Sequence, residues 1–519
     1  MANKPLEGHG TVGRDGVPFG TREVPFTRLL PPNRKPYALQ ALTRLAEGMI
    51  IADDELKDGP DAEENLYVPA GYTYFGQFVD HDLTFDTTST FDPKHSPPAT
   101  NLRTPRLDLD CLYGSGPADQ PYLYDIDGVK LLPVEDNAFD LVRIPPGTEK
   151  YGRAVIGDKR NDENSIVCQI HLAMIKFHNT VVESLRRRSP RISNADLFIH
   201  ARDEVRWTYQ RIVMEDYLRR VIDGEVIQAF QDRFQQGPGD AYTLYTSDKR
   251  RNLPVEFVGA AYRFGHSMVR TGYRLNEKLK RRVFSAEDNT ETSLVGFEPL
   301  TRDHVINNWS RFFTDKLKPG QREQKNEGES KDDDPSLRLQ YAYKIDPSLV
   351  DPLGALASAV DAERRSLALL NLRRGNSLGY RLCDGQAIAA ALGEEPLDPV
   401  YLCVRSKVEE SFTFSNIATI DESFSRRTPL WFYILAEAQK PIVDLWQQNG
   451  RRDLVDDDLL NGKGAGTQLG PVGGGILLEV FSGILDEDRD SYRHAANWRP
   501  LLDGPVTMFD LLKFAGLPV

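Results

Sequence analysis

A glutamine, two acids and a histidine fall within six positions of one short run, Gly76-Gln77-Phe78-Val79-Asp80-His81-Asp82-Leu83-Thr84. The surrounding residues are apolar or aromatic (Tyr72, Tyr74, Phe75, Phe78, Phe85), and charge in such a setting is unfavourable unless it has a partner. If Tyr74 to Leu83 is helical, Gln77 and His81 stand four residues apart on one face, Asp80 lies on an adjoining face, and Asp82 points about 100° further round the axis. One helix would then serve two sites, with Gln77, Asp80 and His81 directed at one and Asp82 at the other.

Three later segments also carry chemistry. Thr104-Pro-Arg-Leu-Asp108-Leu-Asp110 places oxygens at alternate positions, on one side of an extended loop, which suits a hard cation such as Ca²⁺. The plain alternative is solvated aspartates in a turn. Gly157-Asp-Lys-Arg160-Asn-Asp-Glu163 opens a long helix on which Arg160 and Glu163 are neighbours, although the helix dipole alone would explain the acid. Phe257 to Arg270 sets His266 on an apolar helix whose Gly259, Ala260, Ala261 and Gly265 permit close approach of something flat. Taken singly, His266 reads more simply as a buried histidine bonded to a backbone carbonyl.

His171 and His178 lie seven apart without carboxylates arranged around them and read as core histidines. Gly8-His-Gly10-Thr-Val-Gly13 fits the dinucleotide expression, but no apolar strand precedes it and no helix follows.

The elements that must position these groups are mostly helical. Apolar periodicity predicts helices over 37–51, 165–188, 194–234, 253–270, 299–314, 352–371, 384–392, 429–448, 473–485 and 507–515. Residues 1–36 read as an extended arm, 86–150 as a long irregular segment and 316–336 as a charged surface loop. Repeats and regular βαβ alternation are lacking, and there is little strand patterning. The 519 residues, 40% hydrophobic, suffice for a large core. A net charge of −13 argues against nucleic acid and against an adhesive basic membrane surface. Four dispersed cysteines without a CxxC pair indicate neither zinc nor a disulfide framework. With no apolar signal-peptide core and no run approaching 18 apolar residues, the chain reads as soluble, cytoplasmic or exported without a Sec-type signal.

In chain order, Gln77…Asp80-His81-Asp82, Thr104…Asp108…Asp110, Arg160…Glu163, His266 and Leu370-Asn371-Leu-Arg-Arg-Gly375 resemble the motifs of animal-type haem peroxidases, the peroxidase–cyclooxygenase superfamily, which also has bacterial members. The likeness runs from about Tyr72 to the C-terminal region, where Thr428-Pro-Leu-Trp-Phe-Tyr and Gly470-Pro-Val-Gly-Gly-Gly also match. It implies a mainly α, large single-domain, myeloperoxidase-like fold with little β. Residues 1–70 would be an arm and first helix packing on the body, and 71–519 the catalytic domain.

On this likeness His81 is the distal histidine, Arg160 the distal arginine, and Gln77 holds a water or halide over the iron. His266 is the proximal ligand of haem iron, and Asn371 accepts its Nδ1 hydrogen. Asp80 and Glu163 match acids that become ester-linked to haem methyl groups. Asp82 resembles a calcium ligand, joined by Thr104, the carbonyl of Arg106, Asp108 and Asp110. The resemblance thus implies haem b and Ca²⁺ as cofactors. Its partners would be H₂O₂ and small organic donors, with halides as further candidates.

Asp110 stands where mammalian members have Ser, and Asn164 where one branch has a sulfonium-forming Met. Gly375-Asn-Ser-Leu-Gly379 replaces a common Arg-Asp-His-Gly stretch. Two rival readings remain. A fatty-acid dioxygenase of the same superfamily needs a tyrosine three residues before the proximal histidine, where this chain has Arg263; Tyr262 is one position off. An adhesion protein keeping the fold without catalysis would lack a haem absorption band.

Overall fold

The computed structural model describes residues 24–51, 60–85, 100–135, 137–147, 151–237, 239, 241–284, 293–323, 337–354, 366–376, 380–408 and 411–519. Helices dominate, and the strands form five small sheets among the described residues, the largest of three strands. One apolar cluster of buried side chains extends from Leu29 to Ala515.

The longest helix, Ser165–Arg188, is buried almost all round over its first eighteen residues. Its start is fixed by Asn164, whose Oδ1 accepts from the backbone of Ile166 (3.1 Å) and Val167 (2.9 Å), and Arg186 to Arg188 complement the dipole at its end. It packs on the helices Asn194–Arg211 and Gly71–Leu83. Glycine lets the latter come close to its neighbours. A Cβ at Gly71 would lie 2.3 Å from the Phe313 ring, and one at Gly76 would lie 2.5 Å from the Tyr217 hydroxyl.

The expected helices at 37–51, 165–188, 384–392, 473–485 and 507–515 are present with small changes of boundary, Ile50–Ile51 being a short strand instead. Others are broken. The 194–234 segment runs through a π turn, Ile212–Tyr217, to Val221. It then stops at Ile222, which bridges Leu469, and restarts as Gly224–Gln236, capped by Asp223. The 429–448 segment divides at Gln439, before Pro441 at the start of the second helix. The 299–314 stretch forms only two 3₁₀ turns, because polar side chains such as Asn308 bond to nearby backbone instead. Within 352–371 the helices are Asp351–Gly354 and the start of Leu367–Arg374, and 355–365 lie outside the described residues.

The 253–270 segment is not one helix. A short helix, Val255–Gly259, breaks at Ala260 and gives way to a 3₁₀ stretch, Ala261–His266. Gly259 presses against Tyr380, where a Cβ would come within 2.6 Å of the ring.

Little strand was expected, and the Cys403–Val408/Ser411–Asn416 hairpin was not among the expected elements. The arm at 1–36 is described from residue 24, where Val24–Pro25 pairs with Thr100–Asn101 and Leu29 N–H donates to Glu256 (2.9 Å). Residues 86–99, part of the irregular segment, and 324–336, most of the charged loop, lie outside the described residues. All four cysteines are buried and unpaired. No described helix is long and apolar enough to cross a membrane.

Candidate functional site

Eleven of the thirteen residues of Gly71–Leu83 are buried; Gln77 and Asp80 are not. Gln77 Nε2 donates to Glu163, and its Oε1 accepts from Asn164 Nδ2 (3.0 Å). Asp80 accepts from Thr84 Oγ1 (3.1 Å) and pairs with Arg263 Nη1 (3.4 Å). Burial opposes the Asp80 charge, but Arg263, then His81 and Arg160, outweigh it and hold the carboxyl below its usual range. This one face therefore joins the 159–164 turn to the 261–266 stretch.

His81 is buried, its Nδ1 2.8 Å from Asn161 Oδ1 and its Nε2 3.7 Å from Glu163. Burial, then the charge of Arg160, pushes its pKa down to about 4, so the ring is neutral at neutral pH. The 3₁₀ turn Lys159–Asp162 carries Arg160 and precedes the long helix rather than opening it. Arg160 donates through Nε and Nη2 to Asp158 (3.1 and 2.7 Å) and through Nη2 to the carbonyls of His81 (2.9 Å) and Thr84 (2.6 Å). Its guanidinium lies 4.6 Å from the centre of the Phe85 ring. Of its side-chain donors, Nη1 alone makes no hydrogen bond among the described residues.

Glu163 is pushed up to about 7, with burial the main cause, yet its side chain keeps 36% of its surface accessible. The carboxyl is therefore crowded by protein and still reachable.

His266 has its Nδ1 2.7 Å from Asn371 Nδ2, and Arg374 Nη1 donates to Asn371 Oδ1 (3.4 Å). The expected arrangement had the asparagine oxygen on Nδ1. Here the arginine holds that oxygen and the amide nitrogen faces the ring; turning the amide over exchanges the two without moving its frame. Burial, then Arg263 and Arg374, pushes His266 down to about 3, leaving a neutral imidazole with a lone pair. Arg263, Gly265 and His266 are part-exposed within an otherwise buried stretch, and a Cβ at Gly265 would meet nothing within 4 Å. Open space at Gly265 beside an available imidazole, tied to the Gly71–Leu83 helix through the Arg263–Asp80 pair, fits a flat metal-bearing group such as haem.

Asp82 leaves the helix on its other side. One carboxylate oxygen from each of Asp82, Asp108 and Asp110 lies within 4.8 Å of the others. They meet through a tight turn rather than an extended loop, because Leu109 between the two loop acids is left-handed (φ 59°) and its N–H donates to Asp82 Oδ2 (3.2 Å). Asp82 Oδ1 is buried without a partner. Thr104 Oγ1 donates to Asp108 (2.8 Å), and the Arg106 side chain pairs with Asp488 (3.8 Å). Burial, then Asp108 and Asp110, raises Asp82 well above the usual range, and burial, then Asp108, pushes Asp110 up to about 7. Asp108 is also raised, by burial first.

Arg103 bridges Asp110 (3.0 Å) to Asp158. Among the described residues, the four carboxylates Asp82, Asp108, Asp110 and Asp158 have direct ion pairs to two guanidiniums, Arg103 and Arg160, two fewer than the acids; Arg106 and Arg206 also act on Asp108, opposed by Asp488. An orphaned oxygen, a threonine hydroxyl and a deficit of two fit a divalent hard cation.

Gln77, Asp80, His81, Arg160 and Glu163 lie together, His266 and Asn371 adjoin them through the Arg263–Asp80 pair, and Asp82, Thr104, Asp108 and Asp110 form the second group. Nothing fixes the carbonyl of Arg106 on the acid cluster, and residues 8–13 lie outside the described residues. Asp158, Asn161 and Arg103 escaped notice although they adjoin chosen residues. Alternation of Asp158 and Arg160, two apart, was the available signal for the first. His171 is a buried core histidine as expected, but it also bonds Asn161 (3.0 Å). His178 bonds the Tyr113 hydroxyl (3.0 Å) and the Val129 carbonyl (2.9 Å).

The family model described as animal haem peroxidase matches residues 92–316. Heme peroxidase 2 of Caenorhabditis elegans is 22% identical over 417 residues, 75% of this chain and 48% of that protein, so the chain spans about half its length. Among solved structures, peroxidase A from Dictyostelium discoideum superposes with a TM-score of 0.59 at 15% identity, covering 98% of this chain and 97% of that one. A fatty acid alpha-dioxygenase from Oryza sativa gives 0.54 at 14%, covering 95% and 79%. The fold is therefore the mainly helical one these proteins share.

Proposed function

We propose that this chain, which fits the peroxidase–cyclooxygenase superfamily, is a haem peroxidase that reduces H₂O₂ and oxidises small organic donors, with halides as further candidates. The observation that carries this reading is a neutral, buried His81 beside a fixed Arg160 on one side of a cleft, with a neutral His266 at open space on another.

Bound haem would supply a redox-active iron at which the peroxide O–O bond is cleaved, held through His266. His81 takes a proton from one peroxide oxygen at Nε2 and returns it to the other, so base and acid are the same ring. Arg160 stabilises negative charge on the departing oxygen through Nη1, the donor its other bonds leave available. Asp158 and the two carbonyls keep that guanidinium from swinging away. Gln77, tied to Glu163 and Asn164, holds a water or halide near the same place. Asp80 and Glu163 are the sites for ester links to haem. Asp82, Thr104, the Arg106 carbonyl, Asp108 and Asp110 take Ca²⁺, which braces the loop against the helix bearing His81. Residues 71–519 would form the catalytic domain, on which the described parts of 1–70 pack.

The dioxygenase reading is weaker. Arg263, three before His266, bonds the Val258 carbonyl (2.9 Å) and Asp80, while Tyr262 donates to the Gly76 carbonyl (3.2 Å) and stacks on Phe257. Neither offers a free tyrosine.

The test is the haem-loaded chain mixed with H₂O₂ and guaiacol, beside oxygen uptake with linoleate in the absence of peroxide. Peroxide-dependent colour with no oxygen uptake is expected; uptake without colour would reverse the choice.

A further inference from the structure

Asn161 is fully buried between two buried histidines. Its Oδ1 lies 2.8 Å from Nδ1 of His81, and its Nδ2 lies 3.0 Å from Nδ1 of His171. A side-chain amide donates only from nitrogen and accepts only at oxygen. With the oxygen on His81, that ring must carry its proton on Nδ1, which leaves the Nε2 lone pair open. With the nitrogen on His171, that ring must be unprotonated at Nδ1. Turned over, the amide would reverse both tautomers together, putting a hydrogen on His81 Nε2 and removing the base.

We propose that Asn161 is a positioning residue that fixes the tautomer of His81 and is itself held by His171, so the row His81–Asn161–His171 keeps Nε2 of His81 ready to accept a proton. Neither ring can change tautomer alone without leaving a buried donor facing a donor or an acceptor facing an acceptor, and such a mismatch is unfavourable by roughly 1–3 kcal/mol per group. His171 also has its ring edge-on to Phe78 at 6.0 Å, which limits its rotation. A histidine one residue removed from the cleft thereby sets which nitrogen of His81 is basic. The proposal rests on the reading of His81 as the proton-transfer group, but its geometry does not depend on haem.

The experiment is ¹⁵N NMR of the histidine rings in the full-length holoenzyme, held diamagnetic as the ferrous carbon monoxide form, with the rate of reaction of the ferric enzyme with H₂O₂ measured in parallel. The unaltered chain should show His81 protonated at Nδ1. Asn161→Leu, which removes both hydrogen bonds, should give mixed tautomers and slow the H₂O₂ reaction at least about tenfold, a part of the roughly 10²–10⁴-fold that positioned proton transfer contributes. His171→Phe should do the same to the His81 tautomer in a smaller degree, although it leaves Asn161 in place. Asn161→Asp, which keeps an acceptor on Nδ1, should restore the Nδ1–H form.

A single unchanged His81 tautomer in both Asn161→Leu and His171→Phe, or an Nε2–H ring in the unaltered chain, overturns the proposal. If Asn161→Leu does not fold, His171→Phe decides it. A correct tautomer pattern in a holoenzyme inert to H₂O₂ would instead overturn the peroxidase reading and leave the row standing.

Discussion

Around the Glu64–Pro69 strand, Asp61, Glu63, Glu64 and Asp346 meet Arg270, Arg338, Lys344 and Arg405, four acids against four cations. Glu64 is held by Arg270 (2.9 Å) and Arg338 (2.6 Å), and Arg405 joins Glu63 (2.6 Å) to Asp346 (2.7 Å) with both Arg405 and Glu64 side chains fully out of water. Lys344 donates to the carbonyls of Ala62 and Glu64. The other set, Asp82, Asp108, Asp110 and Asp158, buried or half-buried, has direct ion pairs among the described residues to Arg103 and Arg160, with Arg106 and Arg206 acting on Asp108 and opposed there by Asp488. Both sets are desolvated, and counter-charge separates them. A balanced set ties four chain segments together and asks for nothing, whereas an unbalanced set must take up protons or a cation.

If that contrast is right, breaking the balanced set should injure stability and spare the site. Arg405→Met leaves Glu63 and Asp346 buried without their cation, a loss of about 3–5 kcal/mol. Denaturant unfolding should show it, while the calcium content of the folded fraction stays at the level of the unaltered chain. Unchanged stability would show that this cluster is not the anchor its balance suggests.

The unbalanced set should respond to metal and to pH, in a direction that can be worked out. Raised carboxyl pKa values mean that the metal-free folded state binds more protons than the unfolded chain. Its stability therefore falls as pH rises from the ordinary carboxylate range to about 7, where Asp110 titrates. Calcium needs the ionised acids, so its contribution grows over the same window. At 100 times its dissociation constant a ligand adds about 2.7 kcal/mol. Thermal unfolding with and without chelator should differ clearly at pH 8 and little at pH 5, and Asp82→Ala should abolish the difference. An equal chelator effect at both pH values would mean the acids are ionised without metal, and the contrast would collapse.

How much of this could be read from the chain follows the same physical division. Ser165–Arg188 was legible because its 3.6-residue apolar period is a local signal, whereas Tyr74 to Leu83 read only as a conditional helix, its side chains being apolar or aromatic nearly all round. His81, Asp82, Arg160 and His266 were legible as residue types at motif spacing. The 3₁₀ stretch around His266 was not, since Ala260 leaves the helix where Tyr380 crowds Gly259, a contact from 121 positions away in the chain. Nor was the balanced cluster, whose partners are separated by up to 342 residues and follow no period. Asn161 sits inside a motif, yet its meaning depends on both His81 and His171, and only the fold places it between them.

The finest division at the proposed calcium site lies between Asp110 and Thr104, which both hold oxygens beside Asp108 but differ in charge. Asp110→Asn lowers the deficit from two to one and removes the charge that Arg103 pairs with at 3.0 Å, so calcium affinity should fall by about a hundredfold, the upper end for altered metal surroundings. Thr104→Val removes a neutral oxygen that also steadies Asp108 at 2.8 Å; the deficit remains two, and the loss should be nearer tenfold, about 1.4 kcal/mol. Titration calorimetry on the two variants ranks them. If Thr104→Val proved the more damaging, ligand geometry rather than net charge would govern the site, and the contrast with the balanced cluster would have to be restated in terms of coordination.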